Sequence, residues 1–238
     1  MWRPAFERCV RLLAERDQLK QAAADRALEY VENGMLLGLG SGTTARLFIE
    51  GLVRRAEQGL RVTAVCTSLE SERMAREAAI EVVEDLDRAV DLAIDGADEI
   101  DPSLNLVKGH GGALFREKLV ALAARRFLVI ADNSKLVPRL GQTYVPVEVL
   151  PFLWRRTGDR LLALADRLEL RGGEREPFRT DNGNLILDLT FEGGLPDLER
   201  TAAQIKSISG VLEHGLFLGI ASACLIAAPE GVRVLEKS

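Results

Sequence analysis

Short apolar runs alternate with helical patterns along the first 131 residues of the chain. Apolar positions at helical spacing predict a first helix over residues 17–32, which ends at the Asn33-Gly34 pair in the manner of a helix C-cap. The apolar runs predict strands at 35–39, 62–66, 90–94, 104–107 and 127–131, and helical patterns separate most of them, at 43–55, 70–79 and 113–124. This alternation is typical of βαβ units, so we expect a Rossmann-like parallel sheet.

From residue 145 the pattern changes to the order β-α-β-β-α-β. Strands are predicted at 145–150, 176–180, 185–191 and 211–217, and helices at 159–168 and 197–205. Residues 181–184 (DNGN) supply the turn between the two middle strands, and the order matches the split βαβ, ferredoxin-like motif. A last strand at 221–227 returns to the first sheet. The predicted fold class is therefore α/β: a Rossmann-like parallel-sheet domain (residues 1–144 and 220–238) with an inserted ferredoxin-like α+β domain (residues 145–219).

Composition narrows the class of protein. The 238 residues are 47% hydrophobic and carry a formal net charge of −5, which argues against a nucleic-acid partner. Charges interrupt the start of the chain, and no segment has the roughly 18 apolar residues of a membrane span, so we expect neither a signal peptide nor a membrane partner. Cys9, Cys66 and Cys224 show no paired spacing, which favours a cytoplasmic protein without disulfides or zinc. The first sixteen residues, with Trp2 and Phe6, could form an amphipathic helix.

An acidic segment follows one of the predicted buried strands. Residues 95–101 (DGADEID) come directly after the strand at 90–94. Because ligands of open α/β sheets bind at the carboxyl ends of the strands, we expect Asp95 and Asp98 to line a crevice. Asp-Gly is also a common turn pair, and a solvated acidic loop remains the alternative.

A glycine-rich turn follows the first strand. Residues 38–45 (GLGSGTTA) place glycines and hydroxyl groups at the start of a predicted helix, where backbone N–H groups attract an anion. The dinucleotide fingerprint fails because Thr43 stands where it needs glycine, and the P-loop pattern fails as well. The segment therefore predicts a phosphate cradle, and an ordinary tight turn capped by serine or threonine is the alternative.

Three further charged residues follow strand ends. Lys108 comes after the strand at 104–107 and could stabilise an oxyanion or bind phosphate. Lys135 lies at the same predicted edge, beyond the strand at 127–131. Glu117 starts a helix that faces the same crevice, although Arg116, Glu117 and Lys118 fall opposite Leu119 and Leu122 and would by default form a wet charged face. His110 and His214, the only histidines, suggest no metal site or catalytic triad.

These segments together resemble type A ribose-5-phosphate isomerases. The matches run in order along nearly the whole chain: 38–45, 67–68, 94–100, 108–118, 130–135, 146–151, 180–187 and 215–217. The resemblance implies an aldose–ketose isomerase that interconverts ribose 5-phosphate and ribulose 5-phosphate through an enediolate, in the non-oxidative pentose phosphate pathway. It also implies a small pentose phosphate as the substrate, no cofactor or metal, and a homo-oligomer, specifically a dimer.

The resemblance further implies roles for individual residues. Glu117 would be the base, Lys108 would stabilise charge, and Asp95 and Asp98 would assist ring opening and hold hydroxyl groups, in an order that the sequence leaves open. The substrate-binding residues implied are Ser41, Gly42, Thr43, Thr44, Gly96, Ala97, Gly109, His110, Gly111, Lys135 and Lys20.

The chain departs from this family's pattern at two places. His110 stands where the family's loop usually has a second consecutive glycine, so we expect a strained backbone with positive φ there, a conformation that histidine tolerates better than most residues. An imidazole pointing into the crevice would add positive charge near a phosphorylated substrate when protonated. The segment before Asp17 has no counterpart in the family.

Two other classes of function stay open from the residues. A catalytically silent sugar-phosphate sensor could keep the fold and the phosphate loop, although the chain shows no appended helix-turn-helix. A divalent-metal phosphotransferase could use Asp95, Asp98 and Glu99 as oxygen ligands.

Overall fold

The computed structural model describes the backbone of residues 3–237 and the side chains of residues 14–237. Its first element, α1 (Arg3–Leu28), is one continuous helix, so the helix predicted over residues 17–32 both begins and ends earlier than expected. Trp2 and the side chain of Phe6, on which the expected N-terminal amphipathic packing depends, lie outside the described residues. No helix within residues 3–237 combines the length and the apolarity that crossing a membrane requires.

Strands and helices then alternate largely as predicted up to residue 135. The elements are β1 (Leu36–Leu39), α2 (Gly42–Glu57), β2 (Thr63–Cys66), α3 (Leu69–Glu77), β3 (Glu81–Val82), β4 (Leu92–Asp95), β5 (Glu99–Ile100), β6 (Leu106–Val107), α4 (Leu114–Ala123), β7 (Phe127–Asp132) and a 3-10 turn (Asn133–Lys135). The strand predicted at 104–107 shortens to β6, because Leu104 adopts a positive φ of 59°. β6 does not join the parallel sheet: it pairs with β5 and with a later strand.

The second half follows the order β-α-β-β-α-β with one strand misplaced by the sequence analysis. Its elements are β8 (Tyr144–Val149), α5 (Trp154–Leu162), β9 (Arg167–Leu170), β10 (Leu185–Thr190), α6 (Leu198–Lys206), β11 (Val211–His214), β12 (Leu216–Phe217), β13 (Ala223–Ala228) and β14 (Gly231–Glu236). The strand predicted at 176–180 is wrong, because β9 occupies that place in the order and residues 171–184 form a loop. The predicted helix at 159–168 ends early at Leu162, although leucines continue at helical spacing.

The central sheet has seven strands in the order β14-β13-β7-β4-β1-β2-β3. β13, β7, β4, β1, β2 and β3 are parallel, and β14 pairs antiparallel to β13 at the edge. The chain moves outward from β1 to β2 and then returns to β4 on the other side of β1. The carboxyl ends of β1 and β4 therefore flank a topological switch point, where open α/β sheets bind their ligands.

Helices cover both faces of this sheet. Leu37 and Leu39 of β1 pack against α1 and α2, with Phe48 fully buried between the layers. Leu36 points to the opposite face, where Val120 of α4 belongs to the same apolar cluster. Because side chains alternate along a strand and both sides are covered, the strands read as continuous apolar runs.

The other large sheet is antiparallel, in the order β11-β8-β10-β9. Val145, Val147 and Val149 of β8 form one core with Leu161 of α5 and Ile205 of α6, so these helices cover one face. The opposite face presents Tyr144, Pro146 and Glu148 of β8 and Ile186 and Asp188 of β10, which alternate with the core positions. The predicted α/β fold class is confirmed: the structure combines a central parallel sheet with additional antiparallel strands.

Candidate active site

A cleft of about 150 Å³ opens at the switch point, beyond the carboxyl ends of β1 and β4. Its walls come from α1, the turn after β1, the segment after β4, the start of α4 and the 3-10 turn. The lining residues are Lys20, Ser41, Gly42, Thr43, Thr44, Gly96, Ala97, Asp98, Lys108, Gly109, Gly111, Glu117 and Lys135. All of them were predicted as site residues from the sequence.

An ammonium group between two carboxylates lies at the base of the cleft. Lys108 Nζ is 3.0 Å from Asp95 Oδ2 and 3.3 Å from Glu117 Oε2, and it donates to the carbonyl oxygen of Gly96 at 2.6 Å. The side chains of Lys108 and Glu117 are only 3% and 5% exposed. Asp95 is equally buried beneath the cleft, so the sequence placed it correctly at the strand end, although it does not line the cleft itself.

Burial changes the acidity of these groups. It raises the pKa of Asp95 to about 7; the Lys108 ammonium opposes this shift and the neighbouring Glu117 carboxylate adds to it. Burial alone would lower the pKa of Lys108, but Asp95 and Glu117 outweigh it and hold that pKa above its usual value. The two shifts thus have different causes: desolvation of the carboxylate raises the pKa of Asp95, and two neighbouring carboxylates raise that of Lys108.

The turn after β1 fixes both carboxylates. The backbone N–H of Ser41 donates to Asp95 Oδ1 at 3.1 Å, and its hydroxyl donates to Glu117 Oε1 at 2.6 Å. A Cβ at Gly40 would overlap the Asp95 carboxylate, so glycine is needed for this close approach. The Ser41 hydroxyl, expected to contact phosphate, holds the carboxylate of Glu117 here.

Glu117 presents one free oxygen. Its Oε2 is buried and, within residues 14–237, has no hydrogen-bond partner, with the Lys108 ammonium as its nearest opposite charge. A buried acceptor without a partner costs free energy in a resting protein, and such exceptions are common where chemistry takes place. Glu117 lines the cleft, and with one oxygen anchored and the other free of hydrogen bonds it has the geometry of a general base.

Cationic and hydroxyl groups surround the rest of the cleft. Lys20 of α1 reaches it while pairing with Asp17 at 3.2 Å, and Lys135 approaches from the 3-10 turn after β7. Thr43 and Thr44 lie in the first turn of α2, where the backbone N–H groups of the helix are still unpaired. Together these groups suit a phosphate dianion.

His110 differs from both expectations for it. Its φ is not positive; the positive φ values in the segment 108–112, hereafter the glycine loop, belong to Gly109 (100°) and Gly112 (92°). Its imidazole stacks on Tyr144, with ring centroids 4.1 Å apart, and does not line the cleft. The backbone N–H of His110 donates to Asp98 Oδ2 at 3.0 Å, so this residue orients a cleft carboxylate from behind.

The helix α4 buries the face that the sequence pattern assigned to solvent. Glu117 and Lys118 are buried, whereas Leu119 and Leu122 are 55% and 62% exposed. The reason is a partner that is distant in sequence: Lys118 Nζ lies 2.8 Å from Glu213 Oε1 of β11. The charged side of α4 therefore faces inward, between the central sheet and the antiparallel sheet.

This buried ion pair is a group that the sequence analysis missed. Lys118 Nζ also donates to the carbonyl oxygen of His214 at 2.6 Å and lies over the ring of Phe217. Burial lowers the pKa of Lys118 to about 8 and that of His214 to about 3, so the histidine is neutral and structural. No local signal joins residues 118 and 213, because only the tertiary fold brings them together.

The three acids of the phosphotransferase alternative do not converge. Glu99 Oε2 accepts the backbone N–H of Gly141 at 2.7 Å, and Oε1 accepts the hydroxyl of Thr143 at 2.6 Å. Its carboxylate is thus committed to the loop before β8, away from Asp95 and Asp98. Within residues 14–237 no three His, Cys, Asp or Glu side chains are grouped as metal ligands would be.

Comparison with known proteins gives the family. Residues 63–231 match the family Ribose 5-phosphate isomerase A (phosphoriboisomerase A). The chain is 50% identical to the ribose-5-phosphate isomerase A of Roseiflexus castenholzii, over 91% of this chain and 94% of that protein. It is 45% identical to that of Nitrobacter hamburgensis, over 93% of this chain and 98% of that protein. The chain belongs to the ribose-5-phosphate isomerase A family.

Solved structures of the ribose-5-phosphate isomerase A family share this architecture. The ribose 5-phosphate isomerase from Plasmodium falciparum superposes with a TM-score of 0.89 at 37% identity, covering 93% of this chain and 99% of that one. A D-ribose-5-phosphate isomerase solved in complex with phospho-erythronic acid gives 0.87 at 38% identity, with the same coverage. The resemblance found in the sequence is confirmed, and with it the enzyme class, an aldose–ketose isomerase.

Proposed function

We propose that this protein interconverts ribose 5-phosphate and ribulose 5-phosphate, a step of the non-oxidative pentose phosphate pathway, with Glu117 as the base. The observation that carries the proposal is the Glu117 carboxylate. One oxygen is anchored by Ser41, and the other is buried, unpartnered and 3.3 Å from the Lys108 ammonium. A base held beside a fixed cation is what proton abstraction next to a carbonyl needs.

The reaction moves one proton between adjacent carbons. Glu117 Oε2 takes the proton from C2 of the open-chain aldose, and the C–H electron pair forms the C1=C2 bond while the carbonyl oxygen O1 gains negative charge. The same carboxyl group returns the proton to C1, and the O2 hydroxyl proton passes to O1 as C2 becomes the ketone. Because Ser41 holds Oε1 in place, Oε2 stays beside C1 and C2, and one residue can serve both carbons.

Lys108 is the group that stabilises the negative charge of the enediolate in this proposal. Its ammonium is already desolvated and held by Gly96 and Asp95, so it needs no reorganisation as charge develops. With its raised pKa, Asp95 holds a proton more readily than an ordinary aspartate, but it lies beneath the cleft, so we propose that it assists ring opening through Lys108, the neighbour that lines the cleft. The other cleft aspartate, Asp98, is fixed by His110 and would hold sugar hydroxyl groups.

The substrate phosphate is proposed to bind at the cationic end of the cleft. Thr43 and Thr44 at the start of α2, with Lys20 and Lys135 on either side, offer hydroxyl donors, backbone N–H groups and positive charge. Gly96, Ala97, Gly109 and Gly111 line the remaining wall and would contact the sugar chain. These assignments require no cofactor and no metal.

The experiment is conversion of ribose 5-phosphate by the wild type and by Glu117→Gln, with and without EDTA. We expect the substitution to lower kcat by about 10²–10⁴ while KM changes little, because the amide keeps the shape and loses the base. Glu199→Gln is the matched control, since this exposed glutamate occupies the first turn of α6 as Glu117 does in α4. Glu117→Gln activity above a third of the wild-type kcat would remove Glu117 from the mechanism.

The same assay separates the other classes of function. Activity lost in EDTA and restored by a divalent cation would favour the metal-dependent alternative. A sugar-phosphate sensor would bind ribose 5-phosphate and show no turnover in any condition.

We also propose that the chain forms a homodimer through α4. Leu119 and Leu122 are exposed, and Leu119 and Leu69 line a groove of about 520 Å³ beside α3. Exposed leucines grouped in this way are typical of a subunit contact. Light scattering across a range of concentrations tests the mass, and Leu122→Glu should shift it toward the monomer.

Two further expectations remain proposals. A cytoplasmic location is supported by the free thiols of Cys66 and Cys224. An inserted domain of residues 145–219 is supported by strand membership: β8 to β11 form the antiparallel sheet, and β13 returns to the central one.

A further inference from the structure

One arginine of the antiparallel sheet contacts the glycine loop of the cleft. Arg171 follows β9, and its Nη1 donates to the carbonyl oxygens of Gly109 at 2.9 Å and His110 at 3.0 Å. Neither carbonyl is part of a strand or a helix. The guanidinium thus bonds two consecutive peptide groups of a loop that lines the cleft.

Arg171 is itself rigidly held. Its Nε and Nη2 donate to the two carboxylate oxygens of Asp188 on β10, at 2.9 and 2.6 Å, and both side chains are only 14% exposed. The guanidinium also lies 5.6 Å from the ring of Tyr144 and 5.8 Å from that of Phe178. Because the fork is planar and doubly bonded, its remaining N–H groups have a fixed direction.

The direction of these two carbonyls decides where the following N–H groups point. In a trans peptide the C=O and the N–H lie on opposite sides, so the carbonyl of Gly109 bonded to Arg171 turns the N–H of His110 away from it. That N–H reaches Asp98 in the cleft. By the same geometry the carbonyl of His110 turns the N–H of Gly111 away from Arg171, and Gly111 itself lines the cleft.

The glycine loop has few other backbone hydrogen bonds, and none of them fixes the peptide group between His110 and Gly111. Its other backbone bonds are from Lys108 N–H to the Gly215 carbonyl at 2.9 Å and from Gly112 N–H to the Gly109 carbonyl at 3.0 Å. Both leave the peptide group between His110 and Gly111 without support. Gly111 has no side chain and no atom within 4 Å of its Cβ position, so side-chain packing does not restrain this peptide group.

We propose that Arg171, locked by Asp188, is a positioning residue for the glycine loop. It sets the peptide groups so that the N–H of His110 holds Asp98 and the N–H of Gly111 faces the oxygen that becomes negative in the enediolate. Arg171 touches neither substrate nor reacting atoms. This inference rests on the proposed function of the cleft, and it makes the antiparallel sheet part of the catalytic machinery.

The test is the kinetics of Arg171→Lys with ribose 5-phosphate. Lysine keeps the positive charge, but a single ammonium cannot bond both Asp188 oxygens and two carbonyls in a fixed plane. Loss of one aligned oxyanion donor costs about 10²–10³ in kcat, and partial misalignment should cost roughly 10–100-fold. KM should stay within about threefold, since the phosphate-binding groups lie on other elements.

The chain offers a matched control on β9, the strand that precedes Arg171. Arg167→Lys alters an arginine of β9 whose ion pair with Glu169 is exposed, and its kcat should equal that of the wild type. Asp188→Asn is the second variant, because it keeps Arg171 but removes the carboxylate that fixes the plane of its guanidinium. It should reproduce the fall in kcat at unchanged KM, and the double variant should be no worse than Arg171→Lys alone.

Several results would overturn the inference. These are an Arg171→Lys kcat within twofold of the wild type, a rise in KM without a fall in kcat, or a loss of activity that only follows a loss of folded protein by circular dichroism. If Arg171→Lys does not fold, the kcat and KM of Asp188→Asn decide by the same criteria. Lys108→Met separates the two proposals: an active Lys108→Met variant would refute the cleft assignment, whereas an inactive one beside fully active Arg171→Lys would refute only the positioning role.

Discussion

The substitution Gly40→Ala tests the base of the cleft most directly. A methyl group at this position would overlap Cβ, Cγ and Oδ1 of Asp95. Asp95 cannot move aside without cost, because Oδ1 accepts the N–H groups of Ser41 at 3.1 Å and Gly96 at 2.7 Å, while Oδ2 pairs with Lys108. One added carbon therefore disturbs the whole set of buried charges.

The magnitude follows from two costs. Forcing a methyl group into a filled core costs about 1–3 kcal/mol, and a buried carboxylate that loses a hydrogen bond costs about 1–3 kcal/mol more. Since relaxation lets the two overlap, we expect the free energy of unfolding to fall by about 2–4 kcal/mol. For a chain of this size that corresponds to a Tm lower by roughly 4–16 °C. Displacement of the Lys108 ammonium should lower kcat by roughly 10² as well.

The assay combines thermal unfolding with kinetics on ribose 5-phosphate. Gly158→Ala, inside α5, is the control, because the added Cβ would lie 3.6 Å from the Leu187 side chain, which is an ordinary contact. Alanine is the better helix former, so this variant should gain about 0.5–1 kcal/mol and keep its kcat. Unchanged Tm and kcat in Gly40→Ala would show that Asp95 is not held as described, and would refute this reasoning.

Two other substitutions, with Lys206→Met as a control for the second, test the buried charges. Asp95→Asn should reduce the dependence of stability on pH between about 4 and 7. Because the pKa of Asp95 is raised to about 7, the folded residue binds a proton in this window and the unfolded residue does not, so its contribution to stability is full at low pH and is lost as pH rises. An unchanged difference in urea midpoint between pH 5 and pH 8 would contradict this. Lys118→Met should lower the free energy of unfolding by somewhat less than the ~3–5 kcal/mol of a broken buried pair, because Lys206 still contacts Glu213 at 2.8 Å. Lys206→Met, which alters the exposed partner of the same carboxylate, should cost under about 1 kcal/mol in the same urea titration.

The sequence predicted the cleft well because its residues follow strand ends. The ends of β1, β4 and β7 meet at one edge by the geometry of parallel sheets, so Ser41, Asp98 and Lys135 could be brought together without any knowledge of packing. The matched segments of the family supplied the remaining assignments. What failed was the environment of α4, where the helical pattern placed Glu117 on a wet face and Leu119 inside.

The errors have a common physical origin. Hydrophobic periodicity reports which face of a helix is apolar, but a buried ion pair such as Lys118–Glu213 reverses that reading. β9 was missed because leucines continue at helical spacing from α5 to Leu168, although the polar–apolar alternation of residues 167–170 is itself typical of a strand. His110 was expected to be strained because glycine is usual there, yet the positive φ values fall on its neighbours. For α4 and β9 contacts distant in sequence decided the outcome.

The position of β13 in the central sheet has a consequence for how the chain can be made. β7, the apolar strand whose end leads to Lys135, has β4 on one side and β13 on the other, with Leu128 paired to Ala223. During synthesis the whole antiparallel sheet must leave the ribosome before that side of β7 finds its partner. Until then β7 is an apolar edge strand, open to pairing with another nascent chain. The strands of the sheet that are synthesised last, β13 and β14, are therefore the ones that cover this side of β7 and protect the chain from aggregation.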